Sequence, residues 1–242
     1  MYTNYLLRYK TKGRYVFSPT DECREFGNRL LDECRMRVTL PDYHYHYTSG
    51  GHVAALHRHI DNKFFFRIDI QSFFYAIRRN RVAAALRHFS ISDPRDRAKW
   101  SCVADPYGSG GYVLPIGFVQ SPMLASLVVL LSPVTDSIEL ARTRGAFISM
   151  YFDDFIGSAP DLVLLNEVFD DLCLACERAA LPINDGKLVL PSPIATAFNC
   201  SLEEGAAEVT PGRKAEFFAQ PRLPASIASF DAYCDRVASQ NR

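Results

Sequence analysis

The sequence predicts an α+β domain with the element order βαββαβ, and three observations carry that prediction. Residues 63–74 are dominated by aromatic and β-branched side chains, with Ile68 and Ile70 alternating with polar neighbours, as expected of a buried strand. Two further apolar runs flank Asp153 and Asp154 and read as a hairpin. Leu165, Val168, Leu172 and Cys176 then recur at helical spacing, which predicts a helix over residues 161–180. A split βαββαβ arrangement places the first strand beside a hairpin strand.

The other elements follow in order. Residues 5–19 alternate around Lys12-Gly13 and predict a β-hairpin. Residues 47–57 read as a glycine-containing loop leading into a helix, and a further helix is expected over residues 82–89. Ser121 followed by Pro122 reads as a helix start, with the hydroxyl as N-cap, proline at the first helical position and the helix running to Leu131. A strand is expected around Leu188. Beyond it, Pro211, Gly212, Pro221 and Pro224 break helices and leave one short helix over residues 226–240.

Two adjacent carboxylates in an apolar hairpin repel one another unless a cation neutralises them. A divalent metal at Asp153-Asp154 is one reading, and an Asp-rich turn chosen for its conformation is the other. Asp69, on the strand before, could join the pair; alone it could equally cap a helix or pair with Arg67. Convergence of all three would suit two Mg²⁺ ions and in-line phosphoryl transfer.

The order and spacing of these segments resemble the palm of reverse transcriptases. The first motif of that family, an Asp followed by two variable positions and paired aromatics, is matched by Asp69 to Phe74. The Leu-Pro-x-Gly-x-x-x-Ser-Pro string runs from Leu114 to Pro122, and an aromatic, any residue and two Asp are Tyr151 to Asp154. Weaker matches follow at Leu181 to Lys187 and at Phe198 to Leu202. Ile116 and the compact length are most similar to the defence-associated and poorly characterised bacterial groups.

The resemblance implies a right-hand palm with reduced fingers and little or no thumb: residues 1–62 as fingers, 63–203 as palm and 204–242 as tail or thumb remnant. It implies Asp69, Asp153, Asp154 and the backbone carbonyl of Ile70 as ligands of Mg²⁺, or Mn²⁺ in its place, with Lys187 near the leaving pyrophosphate. Phe74 would select against a 2′-hydroxyl, and Gly117, Gln120 and Ser121 would line the nucleotide. Arg14, on the hairpin that resembles the fingers, would grip the triphosphate, with Lys10 and Lys12 beside it. Implied partners are deoxynucleotides, an RNA template, a structured companion RNA, and a protein or second copy replacing the missing thumb. The implied setting is bacterial antiphage defence.

Composition fits a soluble, cytoplasmic enzyme. No apolar run spans a bilayer, the polar start is no secretory signal, and seven scattered cysteines suggest reduced thiols, with Cys173 and Cys176 as core residues. His52, His57 and His59 lack the companions of a metal site. Net charge is zero, yet residues 1–100 carry 18 Lys plus Arg against 10 Asp plus Glu, whereas residues 101–242 carry 9 against 17. Such asymmetry is one expected of a nucleic-acid footprint, densest at Arg78, Arg79 and Arg81 with Arg87 nearby, a cluster that reads equally as a solvated helix start. The competing readings are a catalytically silent palm acting as a nucleic-acid-binding scaffold, and a template-independent or ribonucleotide-using transferase. Phe74 disfavours the ribonucleotide reading.

Overall fold

The computed structural model describes residues 3–242. In chain order the elements are β1 (Tyr5–Thr11), β2 (Arg14–Pro19), α1 (Asp21–Arg37), α2 (Gly51–His59), β3 (Phe64–Asp69), α3 (Phe73–Ala76), α4 (Arg79–His88), α5 (Pro94–Ser101), β4 (Val103–Ala104), β5 (Tyr112–Val113), α6 (Ser121–Leu130), α7 (Pro133–Thr143), β6 (Phe147–Tyr151), β7 (Asp154–Ala159), α8 (Leu162–Arg178), β8 (Val189–Ser192), β9 (Ala195–Ala197), β10 (Cys200–Glu203), β11 (Ala206–Val209), α9 (Pro211–Phe218) and α10 (Pro224–Ala238). They form two units, each drawn from several chain segments: residues 3–41, 71–135 and 176–182 in one, and 42–70, 136–175 and 183–242 in the other. Among the described residues no single helix is long and apolar enough to cross a membrane.

In the first unit, β1 and β2 pair antiparallel and reverse through Lys12 and Gly13, both at positive φ (47° and 79°), as a two-residue hairpin turn requires. Thr20 caps α1 by accepting from the Cys23 amide at 3.1 Å, with acids in the first turn and arginines in the last complementing the helix dipole. Phe17, Tyr75, Val103, Val113 and Phe118 share one apolar cluster, so the hairpin is packed on the β4–β5 ribbon and the loop before α6.

That loop forces a glycine. Gly117 sits at φ +111°, and a Cβ there would lie 2.1 Å from the Phe17 carbonyl oxygen, whose own residue donates its amide to Ile116 at 2.9 Å. Gly117→Ala is expected to lose roughly 3 kcal/mol or more, because backbone strain and an unrelievable backbone clash add. Gly13→Ala meets nothing within 4 Å and should lose only about 1 kcal/mol. Urea midpoints of the two variants check the contrast; equal losses would refute the close approach.

The start of α6 corrects the sequence reading. The helix begins at Ser121 itself, Gln120 occupies the cap position without a capping side-chain bond, and the Ser121 hydroxyl is buried with no hydrogen-bond partner. Pro122 keeps its place in the first turn. Serine at that position therefore packs rather than caps.

In the second unit a four-stranded sheet has the order β6-β7-β3-β8 with antiparallel neighbours throughout, the split βαββαβ arrangement. The Phe66 ring lies over its cross-strand partner Gly157, where a Cβ would come within 2.2 Å of it, and also meets Phe169 of α8 edge-on at 5.3 Å. Glycine in this strand is thus a seat for an aromatic ring. His59, fully buried, bridges the Ser158 and Ser149 hydroxyls at 2.7 and 2.8 Å, and Asn62 donates to the same Ser158.

Burial without a countercharge pushes the His59 imidazole down to about 3. Its folded value lies below the ordinary 6.5, so the stability it carries is complete above pH 6.5 and falls as pH drops from there towards 3. The unfolded chain takes a proton over that window that the folded chain refuses. Denaturation at successive pH values should show a loss of about 1.4 kcal/mol per unit from this group below about pH 6. In His59→Gln the slope should become shallower by one proton; an unchanged slope would remove His59 from the account.

The tail also differs from expectation. Strands β9, β10 and β11 form a second antiparallel sheet, and two helices rather than one follow it. Pro211 and Pro224 do not break these helices; each stands in a first turn, where a missing amide donor costs nothing. Phe217 and Phe230 stack at 4.0 Å between ring centres, within a core shared with Leu202, Val209 and Val237.

Candidate active site

The sheet of the second unit brings Asp69 opposite Asp154. They end β3 and begin β7 as direct cross-strand partners, and the Ile70 amide donates to the Asp153 carbonyl at 2.8 Å just beyond them. Tyr151 pairs with Asp154, so Phe152 and Asp153 form a two-residue hairpin turn. Phe152 has φ 55°, unusual for a bulky residue. Its amide donates to His46 Nδ1 at 3.3 Å and its ring tilts over that imidazole at 4.5 Å, which holds the turn in shape. Desolvation pushes the His46 imidazole down to about 4, so the ring is a neutral acceptor.

Direct partners in an antiparallel pair point to one face of the sheet, and so do residues two apart on a strand. Arg67 therefore joins Asp69 and Asp154 on one face. Its Nε and Nη2 donate to Asp154 Oδ1 at 2.7 and 2.6 Å, and Nη2 lies 3.5 Å from Asp69 Oδ2. Lys187 Nζ donates to Asp69 Oδ2 at 2.9 Å, and Asn184 donates its side chain to Asp69 Oδ1 and its backbone amide to the Asp69 carbonyl, both at 2.8 Å. Asp69 is 1% exposed, which is tolerable because every side-chain oxygen is engaged. The Asp154 carboxyl is pushed up to about 6, chiefly by desolvation; Arg67 opposes the rise, while the charges of Asp153 and Asp69 add to it.

These oxygens suit a hard divalent cation. Among the described residues no three His, Cys, Asp or Glu side chains form a ready cage. Mg²⁺ does not require one, since it is commonly held by one or two carboxylates together with water and substrate phosphates. The donor set of Asp69, Asp154, the neighbouring Asp153 and the Ile70 carbonyl fits that pattern. The two cationic side chains already on the carboxylates show that the face favours positive charge.

The remaining sequence-derived candidates lie in the first unit. Arg14 is exposed at the start of β2, and Phe74 is half-buried on α3, its ring tilted against Phe73. Gln120 and Ser121 are each 1% exposed; Gln120 lies against Gly27 of α1, so both shape their loop from within. Arg78 is engaged by the loop before β5, through Asp105, Ser109 and the Gly110 carbonyl, and Arg81 is more than half buried, with one guanidinium nitrogen lacking a partner. Arg79 stacks over the Tyr112 ring at 4.1 Å. Sequence reasoning gave Arg67 only a pairing role and missed Asn184. The two-residue spacing of Arg67 from Asp69 was the available signal; for Asn184 it was its place in the Leu181 to Lys187 segment, where only Lys187 was given a role.

No family model and no curated protein sequence matches the chain. Solved structures do. The foamy viral protease-reverse transcriptase in complex with RNA/DNA hybrid matches at 17% identity over 93% of this chain and 26% of that one, with a TM-score of 0.53. The foamy viral protease-reverse transcriptase dRH in complex with double-stranded DNA matches at 16% over 92% of this chain and 33% of that one, with a TM-score of 0.51. Telomerase from Candida albicans with a fragment of telomeric RNA matches at 11% over 79% and 37%, with a TM-score of 0.48. The chain thus spans about a quarter to little more than a third of these structures. The fold is of reverse-transcriptase type.

Proposed function

We propose that this chain is a nucleotidyltransferase of reverse-transcriptase type that adds deoxynucleotides to a growing strand, with RNA as template. The observation that carries the proposal is the cross-strand pairing of Asp69 with Asp154 at the Tyr151-Phe152-Asp153-Asp154 turn, on a face that gathers cations. Asp69, Asp153, Asp154 and the Ile70 carbonyl would hold Mg²⁺, or Mn²⁺ in its place. Bound there, divalent metal supplies charge neutralisation for the triphosphate and activation of the attacking hydroxyl. Lys187, held by Asp69, is the group on this face able to donate a proton to a departing pyrophosphate. Arg67 gives up part of its hold on Asp154 when positive charge arrives from elsewhere.

In this reading Phe74 discriminates against the 2′-hydroxyl and Arg14 grips triphosphate, as the resemblance implies. Gly117 acts with the buried Gln120 and Ser121 by fixing the shape of the loop. A role in bacterial antiphage defence, in the cytoplasm and with a companion RNA or protein standing in for a thumb, rests on the resemblance to the compact bacterial groups.

One observation favours a second reading. Unneutralised buried carboxylates would argue against a silent palm, but Arg67 and Lys187 offset part of their charge without metal. A scaffold role is therefore physically stable. Labelled deoxynucleotide incorporation by the purified chain in Mg²⁺, set beside Asp154→Asn, separates the two. Incorporation lost in the variant supports the enzyme; no incorporation by the native chain with any co-purifying nucleic acid supports the scaffold.

A further inference from the structure

Four basic side chains converge on the groove between α4 and α5, away from the carboxylate cluster in sequence and in fold unit. Arg79, Ala83 and Arg87 recur every four residues along α4, so they share a face, with Arg79 and Arg87 about 12 Å apart along the axis. Arg95 and Lys99 are likewise four apart on α5. The groove they line has a volume of about 530 Å³, and Asp96 is the sole carboxylate among its lining residues. Ala83 and the fully buried Ala98 supply an apolar floor, small enough to leave the basic heads as its walls.

Arg87 and Arg95 are not consumed by ion pairs within the fold. Neighbouring arginines have acidic partners: Arg97 of α5 pairs with Glu33 at 2.7 Å, and Arg78, just before α4, with Asp105 at 3.3 Å. Among the described residues Arg87 and Arg95 make no ion pair, and both are exposed. Arg79 is held by stacking over the Tyr112 ring, which fixes its guanidinium while leaving its edge to donate.

The geometry points to a binding site for the phosphate backbone of a nucleic-acid duplex, read without regard to base sequence. The inference rests on the proposed handling of nucleic acid but assigns it a surface outside the catalytic cluster. A row of cations about 12 Å long matches about three phosphates of one duplex strand, at about 3.4 Å of axis per charge. Charge spread over that length is too dispersed for a single phosphate ion. Arg79 covers one face of Tyr112 and no aromatic side chain lines the groove, so bases have no platform there to stack on, and contacts confined to phosphate carry no sequence information.

The test uses the full chain and short fluorescent duplexes of two unrelated sequences, titrated over a range of potassium chloride. Arg87→Gln with Arg95→Gln should weaken both duplexes alike and make the slope of log affinity against log salt shallower by about two. Arg24→Gln, an exposed position on α1, should leave the slope as it was. Melting temperatures confirm that the variants are folded. An unchanged slope in the double variant, an equal change in Arg24→Gln, or a loss confined to one sequence would each overturn the inference. Incorporation is measured separately, so a failed groove with an intact Asp154→Asn effect, and the reverse, are distinct results.

Discussion

Asp154→Asn should lower Mg²⁺-dependent deoxynucleotide incorporation by on the order of 10³-fold, about 4 kcal/mol of transition-state stabilisation, while leaving the chain folded. Asparagine has nearly the same shape but cannot carry the charge that a divalent ion requires. The stability side has a definite sign. The folded Asp154 carboxyl is pushed up to about 6 from 3.8, so its favourable contribution is complete below 3.8 and lost as pH rises through 6. Without metal the native chain therefore loses on the order of 3 kcal/mol through this group between those limits, and the variant does not. Incorporation assays at pH 7, paired with denaturation in chelator at pH 5 and 7, read both effects. Unfolding of the variant at pH 7 would leave its inactivity without meaning for the chemistry.

Arg67→Met should destabilise the metal-free chain by about 2–3 kcal/mol and make its melting temperature depend on Mg²⁺. Removing one partner of a buried ion pair ordinarily costs about 3–5 kcal/mol. Here the loss is capped because Asp154 can take up a proton instead, and because Lys187 and Asn184 remain on Asp69. Methionine keeps the apolar stem that lies along the strand. Added Mg²⁺ should restore much of the melting temperature in the variant and shift the native chain less. A variant as stable as the native chain in chelator would show that Arg67 does not hold the carboxylates together.

The parts of this site legible in the sequence are those whose geometry is local. Lys12-Gly13 announces its turn because two residues at positive φ are a local demand, whereas the Tyr151 to Asp154 motif announces its hairpin through acidic turn residues set between two apolar runs. Asp69 was placed beside Asp154 through the order of elements, since a split βαββαβ sheet sets its first strand between the hairpin and the last strand, as β3 lies between β7 and β8. The role of Asn184 was not legible, because it depends on a turn returning to the end of β3. Ser121 misled because Ser-Pro signals a cap wherever the preceding residue is extended, whereas Gln120 is already helical at φ −84° and ψ −15°. Pro211 and Pro224 misled in the opposite way, being breakers only inside a helix. The α4–α5 groove required two helices to meet, and the Arg78 to Arg81 run concealed that its members go to three different environments.

The most direct test of the shared carboxylate site is Mn²⁺ binding, followed by the loss of the free-ion electron paramagnetic resonance signal as the full chain is titrated with and without deoxynucleotide. Saturable binding that tightens with nucleotide and disappears in both Asp69→Asn and Asp154→Asn is the expected result. Equal binding by the native chain and both variants would contradict the assignment of these two residues as one metal-holding pair.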